Sequence, residues 1–110
     1  MVYRPFRYEQ IMSAAESYDV RARRLFGGMG VYTGNRMFAF LIGEDIGLKL
    51  SPEDRELALK IAGSGPICPE PNAEPFEGYV KMPIQVLDNK EEFKSWLERS
   101  AAYAQSKVLA

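Results

Sequence analysis

From Gly30 to Leu50 the chain offers three strand-like runs separated by two very short turns, and this spacing constrains the fold more than any other feature. The runs are Gly30–Thr33, Arg36–Ile42 and Ile46–Leu50, joined by Gly34-Asn35 and by Gly43-Glu44-Asp45. Parallel strands need a crossover of a dozen residues or more, so connections this short allow only antiparallel pairing. Gly34-Asn35 accepts positive φ at both central positions of a tight hairpin turn. The segment therefore predicts a three-stranded antiparallel meander. Its middle run, Met37 to Ile42, is apolar on both alternating faces. That pattern suits a central strand covered on both sides, or a strand whose outer face meets a second copy in a homodimer.

Helical signals surround the meander. Phe6, Ile11, Ala14, Ala15 and Tyr18 give residues 6–18 an amphipathic pattern. Ser51 as cap, Pro52 at the first helical position and Glu53-Asp54 in the first turn open a second helix, with Leu57, Leu59 and Ile61 as its apolar side and Gly63 as its stop. Asp88 followed by Glu91 predicts a capping box for a last helix whose face is Phe93, Trp96, Leu97, Ala101 and Ala104. Residues 64–78 hold four of the seven prolines and read as a stiff loop, followed by a short strand at Tyr79–Met82. Arg21–Leu25 is either a basic connector or the start of a strand. The expected fold is α+β: a three-stranded meander plus at least one later strand, packed by about three helices, in a single domain covering residues 1–110.

Composition narrows the chemistry. The chain has no histidine and one cysteine, Cys68, so the usual general base and the Ser-His and Cys-His nucleophiles are missing, as are the ligands of a zinc site. Acidic pairs such as Glu53-Asp54 and Glu91-Glu92 fall in first turns of helices, where they complement the helix dipole. We expect no catalytic residues, no metal and no cofactor. A lone cysteine suits a reducing compartment, and neither a secretory signal nor a membrane span is legible, so the expected location is cytoplasmic.

Charge is unevenly spread. Residues 1–36 carry six arginines against Glu9, Glu16 and Asp19, a balance of +3, whereas the whole chain has a net charge of −1. Arg21, Arg23 and Arg24 lie just before the glycine cluster Gly27-Gly28-Met29-Gly30. Strand alternation would send Arg21 and Arg23 to one face and Arg24 to the other, with Asp19 near enough to neutralise them. The glycines are expected to serve backbone geometry, through a bulge, a positive φ or a close approach. A nest of their N–H groups with Arg23 and Arg24 that holds an anion is the alternative. Arg21, Arg23, Arg24, Gly27, Gly28 and Gly30 thus form the candidate binding patch.

The run Arg24-Leu25-Phe26-Gly27-Gly28-Met29-Gly30-Val31-Tyr32 resembles the "FGG-x-G" signature of the TfoX N-terminal domain family, found in TfoX/Sxy-type competence regulators. Further similarities follow in the same order. Gly34 to Ala39 is similar to the family's hairpin and second strand, Gly47-Leu48-Lys49-Leu50 to its "LYLK" segment, and Gly63-Ser64-Gly65-Pro66 to its "GSEP" corner. Gly78 to Pro83 with Val86-Leu87-Asp88 resembles its later strand and the start of its last helix. The resemblance spans residues 20–104 and implies an antiparallel sheet packed by helices. It carries over no catalytic residue. Full-length regulators hold a second, helical domain, so this chain is expected to be a stand-alone version. The segment Leu48-Lys49-Leu50 lacks the family's usual tyrosine, and no role of that aromatic transfers. The implied function is a non-enzymatic regulatory or interaction domain that binds a protein partner, linked to transcriptional or competence control. Nucleic-acid contact through the arginines and small-anion binding at the glycines are the rival readings.

Overall fold

Three successive two-residue turns fold residues 20–49 back on themselves, each holding a glycine at positive φ: Gly27 (85°), Gly34 (60°) and Gly43 (59°). Tight hairpins of this length ask for positive φ, which glycine adopts without a Cβ clash. The computed structural model describes residues 5–25, 27–70 and 72–108. Its sheet has five antiparallel strands in sequential order: β1 (Val20–Leu25), β2 (Gly28–Thr33), β3 (Arg36–Ile42), β4 (Asp45–Lys49) and β5 (Tyr79–Lys81). The predicted meander is thus β2-β3-β4. The Arg21–Leu25 segment resolves as a strand, and the later strand pairs with β4.

Four helices accompany the sheet: α1 (Pro5–Ala14), α2 (Pro52–Leu59), the single turn α3 (Ile84–Leu87) and α4 (Lys90–Val108). Helix α2 opens as its sequence predicts, with the Asp54 amide donating to Ser51 Oγ at 3.2 Å and proline in the first turn. Its inward residue is Ala58, however, while Leu57 and Leu59 stand about half exposed on either side of it. Neighbours one residue apart lie ~100° apart around a helix, so both leucines cannot share the narrow buried stripe with Ala58. Helix α4 begins one residue later than the capping-box reading: Asn89 Oδ1 accepts from the Glu92 amide at 3.1 Å, and Asp88 instead closes α3. Helix α1 ends earlier than predicted, at Ala14, and a turn covers residues 15–18.

Strand β3 is the centre of the molecule. Phe38, Ala39 and Leu41 belong to the main core beneath α1 and α4, together with Val31, Ile46, Leu48, Phe93 and Leu97. Phe40 points the other way, into a smaller core with Ile67 and Tyr79. This burial selects the central-strand reading of residues 37–42, and no homodimer is needed to cover them. The pairing of β2 with β3 shifts between Val31 and Tyr32, which leaves Phe38 as an extra residue in β3. Such a bulge frees a backbone carbonyl from the ladder. Ser100 of α4, fully buried, meets it: its hydroxyl lies 2.8 Å from the Phe38 carbonyl and 2.7 Å from that of Lys49, one proton serving two acceptors.

The proline-rich loop is the second cover of the sheet. Ile67 lies so close over Gly47 that a Cβ there would come within 2.6 Å of Ile67 Cγ2. Phe76 stacks edge-on against Phe40 at 4.9 Å, and the Phe76 amide donates to the Ile67 carbonyl at 3.0 Å. Tyr79 closes this layer by donating its hydroxyl to the Met37 carbonyl at 2.8 Å. Burial, with the nearby Tyr32 as a second contribution, pushes the Tyr79 hydroxyl well above the ordinary phenol range.

The Tyr79→Phe substitution should therefore lower stability by about 1 kcal/mol at neutral pH, since it strips a donor from the Met37 carbonyl. Folded Tyr79 stays protonated where an unfolded tyrosine ionises, near pH ~10, so the wild-type contribution is complete below that pH and fades above it. Urea unfolding near neutrality and above about pH 10.5 should show the deficit of the variant narrowing at the higher pH.

Candidate functional site

A sheet of five strands has two edges, and this one protects only one of them. At β5 the Lys81 amide donates to the Gly65 carbonyl at 2.7 Å, so the loop seals that side. Among the described residues the only strand paired with β1 is β2. In a two-residue hairpin the closing residues, here Leu25 and Gly28, exchange both backbone hydrogen bonds. Alternation then directs Leu25, Arg23 and Arg21 toward β2. The second hairpin, closed by Thr33 and Arg36, sets the same phase from the far side of β2. The N–H and C=O groups of Val20, Ala22 and Arg24 consequently point outward, and among the described residues no backbone group pairs with them.

The arginines follow the predicted alternation. Val20 and Ala22 pack toward the main core and Arg24 shares their side, whereas Arg21 and Arg23 lie on the other face; all three arginines are exposed. Arg21 donates from Nη2 to the Gly34 carbonyl at 2.9 Å, and the Arg23 guanidinium sits 6.0 Å from the Tyr32 ring centre. Asp19 does not neutralise them: among the described residues none of the three makes an ion pair, in contrast to Arg99, which meets Asp54 at 2.6 Å.

The glycines do not join this surface as a set. Gly27 is exposed and takes the positive φ of the β1–β2 turn, but Gly28 and Gly30 are buried. A Cβ on Gly28 would stand 2.4 Å from the Leu41 carbonyl oxygen and 2.9 Å from Phe40 Cζ; one on Gly30 would stand 2.7 Å from Met37 Sδ. Close approach, with no positive φ, explains both. Strands on either side of β2 take up its backbone groups, so these N–H donors do not form an open nest.

Sequence reasoning missed a second surface. Between α1 and the α3–α4 junction lies a groove of about 440 Å³, with Phe6, Gln10, Leu87, Lys90, Phe93 and Lys94 among its lining. Gln10 Nε2 donates to the Leu87 carbonyl at 2.6 Å and ties the two walls together. Phe6, expected on the inner face of α1, is 65% exposed, and Arg7 is buried in its place. The i, i+4, i+8 spacing of Arg7, Ile11 and Ala15 is the signal that could have shown this. Among the described residues no group of three or more acidic, cysteine or histidine side chains gathers as a metal site, and no helix is long and apolar enough to cross a membrane.

The family model of the TfoX N-terminal domain matches residues 11–104, which include every strand. None of the curated proteins matches the chain.

Gly28→Ala should cost about 1–3 kcal/mol, because the clashing Leu41 carbonyl belongs to central strand β3 and cannot retreat. Gly30→Ala should cost less, since the Met37 thioether that it meets can swing away. Thermal unfolding of the two variants tests the order.

Proposed function

The chain belongs to the TfoX N-terminal domain family, and from that premise we propose that it is a non-enzymatic regulatory domain in transcriptional or competence control. It acts by binding a protein partner along the open β1 edge. The observation that carries this reading is the edge itself: six residues of regular strand whose outward backbone groups have no partner among the described residues, and whose three arginines make no ion pair there. Exposed edges are templates for an added strand, and main-chain hydrogen bonds supply much of the affinity in that binding mode.

Charge selects among occupants. A second copy pairing antiparallel about Ala22 would set Arg21 opposite Arg23 in both directions; pairing about Arg23 would set that residue against itself. Like charges directly opposite are destabilising, whereas acids on an incoming strand would be favoured. The domain on this reading is monomeric when free and prefers an acidic extended segment. Nucleic acid is the rival for the same arginines. Their division between two faces of a strand suits a strand-adding partner better than a continuous phosphate track.

Ala22→Pro separates these readings, because it removes an outward N–H, leaves the β1–β2 ladder intact and changes no charge. Affinity purification from the host should recover a partner with the wild type and lose it with Ala22→Pro. The Arg21→Ala/Arg23→Ala protein should weaken the complex while the fold survives. Retention of DNA or RNA at low salt, with a log–log salt slope that flattens by about one per lost phosphate contact in the double variant, would transfer the edge to nucleic acid.

A further inference from the structure

The two rows of side chains along β1 differ in chemistry, and each row ends in a residue of the other's kind. On the face turned to the proline-rich loop, Arg21 and Arg23 precede Leu25, which packs on the smaller core of Phe40, Ile67 and Tyr79. On the helix-covered face, Val20 and Ala22 pack on the main core and precede Arg24. Val20, Ala22 and Leu25 are only half-buried, so each keeps apolar surface beside the open edge. The three arginines stay exposed, and among the described residues none makes an ion pair. Arg21 gives Nη2 to the Gly34 carbonyl and Arg23 sits by the Tyr32 ring, which holds both on the loop side. A guanidinium has several N–H donors, so both keep donors for a carboxylate.

An added strand inherits this pattern, because residues directly opposite one another project to the same face and interact there. Every strand pair of the sheet is antiparallel, and antiparallel pairing is the more stable per residue, so the incoming strand runs against β1. Taken from its N-terminus, its residues stand opposite Leu25, Arg24, Arg23, Ala22, Arg21 and Val20 in turn. The favoured residues at these places are apolar, acidic, acidic, apolar, acidic and apolar. Those opposite Arg24, Ala22 and Val20 also exchange backbone hydrogen bonds with β1, whose groups point outward there. A slip of one residue in either direction sets an acid against Ala22 and an apolar residue against Arg21, so the pattern fixes its own register.

We propose that β1 takes up an antiparallel protein strand of the order apolar-acidic-acidic-apolar-acidic-apolar. This rests on the strand-adding reading of the edge and assigns it a sequence and a direction. Two of the acids meet Arg23 and Arg21 on the loop side, and the third meets Arg24 on the helix side. The apolar residues cover Leu25, Ala22 and Val20. A wholly acidic tail is the poorer occupant, since it would set carboxylates against those three half-buried side chains and lose solvation without a partner.

The test is an amide-shift titration of the whole chain with acetyl-Ile-Glu-Glu-Val-Glu-Val-amide and its relatives. This peptide should move the Val20, Ala22 and Arg24 amides and bind about tenfold more tightly than the form with glutamine for every glutamate. N-methylation of its second, fourth and sixth residues should abolish binding, because those amides bond to the edge; methylation of the third and fifth should be tolerated. Arg23→Gln, an exposed substitution that spares the fold, should weaken the parent peptide about threefold. It should leave unchanged the affinity of a peptide with glutamine at the third place alone. Equal binding of the all-glutamine peptide, loss on third-and-fifth methylation only, or an unaltered affinity for Arg23→Gln would overturn the pattern and leave the edge reading standing. Equal or tighter binding of the reversed peptide, acetyl-Val-Glu-Val-Glu-Glu-Ile-amide, would overturn the direction. No shift along β1 at millimolar peptide, or binding indifferent to both methylations, would overturn the edge reading and the proposal together.

Discussion

Burial of β3 on both faces is the constraint on which the rest of the structure depends. A strand that carries Phe38, Ala39 and Leu41 toward one side and Phe40 toward the other cannot lie at the surface of a two-layer domain. Something must cover each face. Helices α1 and α4 cover the first, with Ser100 satisfying the carbonyl that the Phe38 bulge releases. The second is covered by a loop with no regular secondary structure, and this is where the prolines and glycines acquire their meaning. Gly47 lets Ile67 rest on the sheet, and Gly28 lets β2 lie against the Phe40 ring. Replacing either glycine would separate layers that β3 requires to be in contact.

That arrangement also decides where the molecule is left open. The loop that shields Phe40 also reaches the β5 edge and seals it at Gly65, but among the described residues nothing comparable reaches β1. The exposed edge is thus a consequence of how the core is covered, and its three arginines give it a sign. Arginine on an edge strand opposes pairing with an identical copy and leaves pairing with an acidic strand available. The groove beside Arg7 arises differently. There α1 meets the α3–α4 junction through the Gln10–Leu87 hydrogen bond, and Phe6 stands exposed at the rim.

Much of this was legible before any coordinates. Turn length and glycine placement define the hairpins, and Ser51-Pro52 marks the start of α2, because each depends on backbone chemistry confined to a few neighbouring residues. The family motifs agree with both. Long-range features were not legible. The motif Gly27-Gly28-Met29-Gly30 could be read as an anion nest because its buried neighbours, Leu41, Phe40 and Met37, are distant in sequence. The hydrophobicity of Leu57 and Leu59 points to the core, although their positions around the helix flank Ala58. In the sequence Asp88 reads as a cap because the one-turn helix α3, which ends there, carries no signal of its own in four residues. Of the candidate patch, the three arginines share one exposed strand, while two of its three glycines lie in the interior.

Hydrogen exchange resolved by residue tests the central claim most directly, because an edge strand has alternating amides. The account predicts rapid exchange at Val20, Ala22 and Arg24 in the free protein, against protection at Arg21, Arg23 and Leu25, with β3 protected up to the global stability. Uniform protection along all six residues of β1 would contradict it, since the edge would then already be occupied.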